Sequence, residues 1–219
     1  MKLLLAAFAA VVAFAMPALA DPTISPVGRL ADSDIKAFSP IDETGFCTVF
    51  YIGDQRFISA GHCASDGKGA KKIILQNGNQ VPVEVIAFAN PSQGMADFSV
   101  LEAGDPRFTA NIKPAKLECG YKPVIGYTVR AEGFPQDMGF TTTWGRISRA
   151  AAPWAADHGG WTKPVFGVNI SISNGDSGGP LFDDATGEVI GILVGALPKN
   201  QTLVVAQPIG PVCALLGLK

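Results

Sequence analysis

Charge is scarce in this chain: Asp, Glu, Lys and Arg make up 16% of its 219 residues, 19 acidic against 17 basic. No basic block stands out, so neither nucleic acid nor an anionic membrane surface is implied as a partner. Histidine is rarer still, with two residues, and the four cysteines form no Cys-x-x-Cys pair. That spacing argues against a zinc site, and no metal is expected. Beyond residue 20 no long apolar run exists, which leaves no segment there to cross a bilayer as a helix. Charged tails and low-complexity stretches are also missing.

Glycine and proline, at 25 and 16 residues, are by contrast plentiful. They suit a chain broken into many short strands by tight turns. Short runs rich in Val, Ile, Phe and Thr cover 46–52, 56–60, 71–75, 80–88 and 97–101, and then 127–133, 140–148, 164–170, 180–182, 188–194 and 202–207. This spacing predicts an all-β barrel or sandwich. Residues 1–20 read as a secretory signal peptide: Lys2, an apolar core over 3–16, then Ala18-Leu19-Ala20 ahead of Asp21. That core is shorter than the roughly 20 residues of a membrane span. The mature protein is therefore expected to be secreted or periplasmic, and off the membrane once the signal is removed. Four cysteines in an exported chain suggest two disulfides, with three connectivities open.

The stretch richest in chemistry is Asn174-Gly175-Asp176-Ser177-Gly178-Gly179-Pro180. Glycines around a serine hold a hydroxyl clear of a tight turn and let a substrate carbonyl approach the main chain. Ser177 is the candidate nucleophile, with the N–H groups of Gly175 and Ser177 as donors to a developing oxyanion. A serine hydroxyl needs a base held by a third group. His62 stands in Ser59-Ala60-Gly61-His62-Cys63, straight after the apolar run at 56–58. His158, in Ala155-Ala156-Asp157-His158-Gly159-Gly160, reads as a surface-loop histidine. Trp144, Trp154 and Trp161 either line substrate subsites or fill core.

Ser-Ala-Gly-His-Cys followed far downstream by Gly-Asp-Ser-Gly-Gly-Pro resembles the chymotrypsin-like (trypsin-like, S1) serine proteases, in a short bacterial-type secreted form. The resemblance covers about residues 40–219. It implies two six-stranded antiparallel β-barrels with a short C-terminal helix and a catalytic cleft between the halves. The implied layout is an N-terminal segment at 21–44 as candidate propeptide, a first barrel at 45–103, a linker at 104–117 and a second barrel with closing helix at 118–219. The helix itself is expected over 209–218, packed by Val212, Leu215 and Leu216. Asp97, heading an apolar strand, is the implied triad acid and gives the chain order His62, Asp97, Ser177 of this family. The resemblance also implies the pairings Cys47–Cys63 and Cys119–Cys213.

By the same resemblance Ser171 lies at the base of the primary substrate pocket, with Val194 and Ala196 on its wall strand. Without an acid at 171 a cationic side chain would be left unpaired, so no strong preference for Arg or Lys is expected. A small or medium apolar side chain fits better. The implied partner is a protein or peptide substrate, the assembly a monomer, and no cofactor is needed. Two departures stand out. Val194 occupies a position where many members carry a Ser bonded to the triad acid. No Ile/Val-Gly-Gly start exists to supply a new amino terminus for Asp176; Arg29-Leu30 is the candidate cleavage point, and otherwise Asp176 needs another partner. Two rivals follow: a protease-fold binding protein without turnover, and an HtrA-like protease-chaperone, set aside here on chain length and cysteines.

Overall fold

The computed structural model describes residues 25–32, 46–64, 71–89, 96–135, 139–152, 164–197 and 200–219. The signal-peptide segment, His158, Trp154 and Trp161 lie outside the described residues. Six strands, β1 (Val27–Asp32), β2 (Cys47–Gly53), β3 (Arg56–Ser59), β4 (Lys71–Leu75), β5 (Gln80–Ala89) and β6 (Phe98–Ala103), close one barrel in the order β1-β2-β3-β6-β5-β4. Six more, β7 (Thr128–Gly133), β8 (Thr141–Ala152), β9 (Val165–Asn169), β10 (Pro180–Asp183), β11 (Val189–Leu197) and β12 (Asn200–Pro208), close a second in the order β10-β11-β12-β9-β8-β7. Every neighbouring pair is antiparallel. The two six-stranded barrels that the resemblance implies are therefore present.

Alternation along the strands explains why they read as unbroken apolar runs. In β2, Val49 and Tyr51 join Phe57, Ile73 and Leu101 in the interior of the first barrel. Their neighbour Phe50 faces the other way, with Ile58 and Val100, into a cluster that also holds Phe182, Ile192, Val205 and Val212 of the second half. Both faces of these strands are buried, so the usual apolar–polar alternation disappears. Each fully buried large aliphatic or aromatic side chain contributes about 1.5–3 kcal/mol. The cluster shared by the two halves fixes their relative position.

The first barrel begins earlier than the sequence suggests. Val27–Asp32 lies in the segment read as a candidate propeptide, yet it pairs with both β2 and β4 and supplies the closing strand. Leu30 sits in the barrel interior at 2% exposure. The Arg29–Leu30 bond is thus inside a paired strand, where cleavage would open the barrel. The linker is also more ordered than a pair of breakers implies. Asp105 caps a 3₁₀ turn at Pro106–Phe108, Ile112 packs into the first barrel, and Leu117 bridges to Val189.

Helix α1 spans Gly210–Leu216 and ends on Gly217 in the left-handed conformation. Val212 and Cys213 are buried and Leu216 is half-buried, whereas Leu215 is 54% exposed. The expected packing by Leu215 is therefore corrected: residues 212, 213 and 216 share one helical face, and 215 turns away from it. Both expected disulfides form. Cys47–Cys63 joins the start of β2 to the residue after His62, and Cys119–Cys213 joins the linker exit to α1. Replacing Leu30 by Ala should lower the unfolding free energy in urea by about 2–4 kcal/mol, against less than about 0.5 kcal/mol for Leu215→Ala. Equal effects would contradict this reading of β1.

Candidate active site

His62 sits in a single 3₁₀ turn, Gly61–Ala64, directly after β3. A Cβ on Gly61 would land on the Ala89 carbonyl oxygen and within 3.0 Å of the Phe98 nitrogen. Only glycine lets this turn press against the chain just ahead of Phe98, where Asp97 lies. Asp97 is 1% exposed. Its Oδ1 accepts the backbone N–H of His62 at 2.9 Å, and its Oδ2 lies 2.8 Å from His62 Nδ1. A carboxylate only accepts, so the ring proton belongs on Nδ1 and the neutral ring keeps a lone pair on Nε2. The imidazole remains 39% exposed.

The backbone N–H of Asp97 donates to Oε1 of Gln207, a buried residue of β12 in the other barrel, at 3.4 Å. Sequence reasoning missed this contact. Val194, at the position where a serine was missing, is buried at 5% exposure in the cluster between the barrels. Both Asp97 oxygens are engaged by His62 itself.

The serine stretch folds as two consecutive turns. Asp176 N–H donates to the Ser173 carbonyl at 3.2 Å, and Gly179 N–H to the Asp176 carbonyl at 2.9 Å. Gly175 and Gly178 take the third place in each turn, with φ of 99° and 87°. Positive φ at that place is what the tight turn demands, and glycine accepts it without strain. A Cβ on Gly178 would fall on Ser59 Oγ and the Thr48 carbonyl, so the turn docks on the first barrel just ahead of His62.

Three hydrogen bonds hold the backbone around the serine in this seam. Thr48 N–H donates to the Ser177 carbonyl at 2.8 Å, and Cys63 Sγ lies 3.9 Å from the same oxygen. On the other side Gly178 N–H donates to Leu193 at 2.7 Å, and Leu193 N–H to Gly179 at 2.9 Å. The N–H groups of Asp176, Gly178 and Gly179 are thereby taken. Those of Gly175 and Ser177 have no partner among the described residues, and neither has Ser177 Oγ. The structure thus joins His62 to Asp97 and sets the Ser177 turn against the same barrel, with the Ser177 hydroxyl unbonded.

Of the expected pocket residues, Ser171 is exposed and Ala196 is half-buried against the core of the second barrel. Val194 has little surface left to offer a ligand. Cys47, His62 and Cys63 bring donor atoms within 4.8 Å of one another. The two sulfurs are bonded to each other, so they present no thiolate to a metal.

Asp176 is buried, and its Oδ2 accepts the Ser173 N–H at 2.9 Å. No cationic group pairs with it among the described residues. Burial pushes its carboxyl up to about 6, against the lowering effect of the Ser173 hydrogen bond. The folded value therefore lies above the unfolded one of 3.8. Stability tied to the protonated form is present below about pH 4 and is lost as pH rises through about 6. Asp176→Asn stays neutral and keeps an acceptor for Ser173. In urea titrations, the variant's stability relative to the natural protein should rise between about pH 4 and pH 6.5. A flat or falling difference would mean that Asp176 carries no desolvation burden.

A family model described as a trypsin-like peptidase domain matches residues 44–192, a span that includes His62, Asp97 and Ser177. The serine protease Rv3671c of Mycobacterium tuberculosis is 28% identical over 153 residues, which are 68% of this chain and 36% of that protein. A probable periplasmic serine endoprotease, DegP-like, of Brucella suis is 29% identical over 144 residues, 65% of this chain and 26% of that protein. The chain thus spans about a third or less of the length of these curated relatives. Among solved structures, the HtrA-type protease AlgW with a tripeptide superposes with a TM-score of 0.69 at 19% identity, covering 88% of this chain and 59% of that one. The fold is thus shared with an HtrA-type protease, the class named above as a rival. The matched span reaches from just before β2 into β11 and takes in most of both barrels, and on that extent the chain belongs to the trypsin-like peptidase domain family.

Proposed function

We propose that this chain is an exported serine endopeptidase in which Ser177 is the nucleophile, His62 the general base and acid, and Asp97 the group that orients the imidazole. The observation that carries the reading is the buried Asp97 carboxylate held 2.8 Å from His62 Nδ1, on the same seam as the Ser177 turn. His62 Nε2 takes the Ser177 hydroxyl proton as Oγ attacks a peptide carbonyl. The same proton then passes to the departing amine as the C–N bond breaks and the acyl-enzyme forms. Water, deprotonated by His62, attacks the ester and frees the acid. The unpartnered N–H groups of Gly175 and Ser177 receive the negative charge of the tetrahedral intermediate; losing one such donor elsewhere costs about 3–4 kcal/mol.

The substrate is a protein or peptide. Ser171 provides no charge at the base of the pocket, so small or medium apolar side chains are the preferred residue before the scissile bond, over Arg and Lys. Residues 1–20 direct the chain out of the cytoplasm to the periplasm or beyond, where its two disulfides are stable. No helix among the described residues is long and apolar enough to cross a membrane. The working assembly is a monomer. A second reading, a protease-fold binding protein without turnover, has in its favour that Ser177 Oγ makes no hydrogen bond among the described residues. Such bonds are often long in unliganded enzymes and tighten with substrate.

A fluorophosphonate probe followed by peptide mapping separates the two. Labelling confined to Ser177 and abolished in Ser177→Ala is the expected result. In Asp97→Asn the hydrolysis rate should fall by about 10⁴, the effect of that change in the type enzyme of the family. Correctly folded protein that never labels would support the binding protein instead. Across a panel of peptides, kcat/KM for Ala or Val before the cleaved bond should exceed that for Arg.

A further inference from the structure

Thr48 is fully buried on β2, at 0% exposure, on the face turned towards the second barrel. Its hydroxyl donates to the Gly175 carbonyl at 2.7 Å and accepts the Phe134 N–H at 3.0 Å. Both partners belong to the second barrel's loops, and Thr48 reaches them from the first. Its backbone N–H holds the Ser177 carbonyl at 2.8 Å, and its own carbonyl accepts Ser59 Oγ at 2.7 Å. These four polar contacts place Thr48 at the seam between the first barrel and the loops of the second that carry Phe134 and the Ser177 turn.

The Gly175 carbonyl and the Asp176 N–H belong to one peptide unit. Thr48 holds its oxygen, and the Ser173 carbonyl holds its N–H at 3.2 Å. With that unit pinned at both ends, the N–H of Gly175 on one side and that of Ser177 on the other, both without a partner among the described residues, keep a fixed relation. A glycine at φ 99° has no side chain to restrain it, so the turn's shape depends on such outside contacts. Asp176 has no cationic partner to anchor the turn among the described residues.

We propose that the Thr48 hydroxyl is a positioning residue for hydrolysis: a latch thrown from the first barrel that holds the Gly175–Asp176 peptide so that the Gly175 and Ser177 N–H groups converge on the oxyanion. The inference rests on the endopeptidase reading above. A hydroxyl has a single O–H to donate and lone pairs to accept with, and Thr48 uses both. Valine has the same shape and can do neither, whereas serine can do both.

The test compares Thr48→Val and Thr48→Ser with the natural protein, using steady-state kinetics on a peptide substrate, inhibition by a peptide aldehyde, and amide hydrogen exchange. In Thr48→Val, kcat should fall about 10- to 100-fold while KM stays within about threefold, because the lost interaction acts on the transition state. The aldehyde, which forms a tetrahedral adduct, should lose affinity in step with kcat/KM. Exchange should quicken across residues 173–179 and at Phe134. Thr48→Ser should restore all of these to within about threefold. Normal kcat and unchanged exchange in Thr48→Val would overturn the latch, as would equal loss in both variants, which would assign the effect to packing. If the natural protein neither labels at Ser177 nor turns over, the endopeptidase reading fails, and exchange over 173–179 still decides whether Thr48 holds the turn.

Discussion

A single buried carboxylate sets the terms for everything around it. Asp97 is almost fully removed from water, and an ionised group there needs fixed hydrogen-bond donors in place of solvent. His62 supplies two, one from its backbone and one from its ring, so one residue both satisfies the charge and is oriented by it. For that to happen two chain segments must pass closer than side chains usually allow. Gly61 makes the approach possible because it lacks a Cβ, and β3 and β6 are locked in register beside it, with Ser59 opposite Ser99.

The second half of the site depends on apolar packing between the barrels. Phe50, Ile58 and Val100 from one side meet Phe182, Ile192 and Val205 from the other, and this cluster is what brings the Ser177 turn up to the barrel that carries His62. Hydrogen bonds then set the fine position. The turn is tied to β2 through Thr48 and to β11 through Leu193, so neither barrel alone defines where the serine sits. A small displacement between the halves would separate groups whose usefulness depends on ångström-scale alignment.

Much of this was legible in the sequence because the chemistry confines it to short contiguous stretches. His62 and Ser177 each come with flanking glycines whose absent side chains the fold requires, and Asp97 heads a run of apolar residues that becomes β6. Most strands were legible because Gly, Pro, Asn and Asp punctuate them. What stayed hidden depends on distance along the chain. Val27–Asp32 has only three apolar residues in six, and its strand character comes from neighbours on β2 and β4. Thr48 and Gln207 look like ordinary strand residues, and only partners 127 and 110 positions away give them meaning. Leu215 misled because only one stripe of a short surface helix faces the core, and composition alone does not say which residues lie on it.

The shared cluster between the barrels also bears on the order in which the molecule assembles. All six strands of the first barrel precede residue 104, so that barrel's hydrogen-bonded frame can form before the rest of the chain has emerged. Its outer face would then carry Phe50, Ile58, Phe98 and Val100 uncovered, an apolar patch awaiting a mate that is synthesised later. Half-made chains are exposed to association through that patch, and the later arrival of the second barrel and α1 both covers it and brings in the Ser177 turn. Completion of the fold and assembly of the candidate site are the same event, so a molecule stalled at one barrel is sticky and still lacks the Ser177 turn.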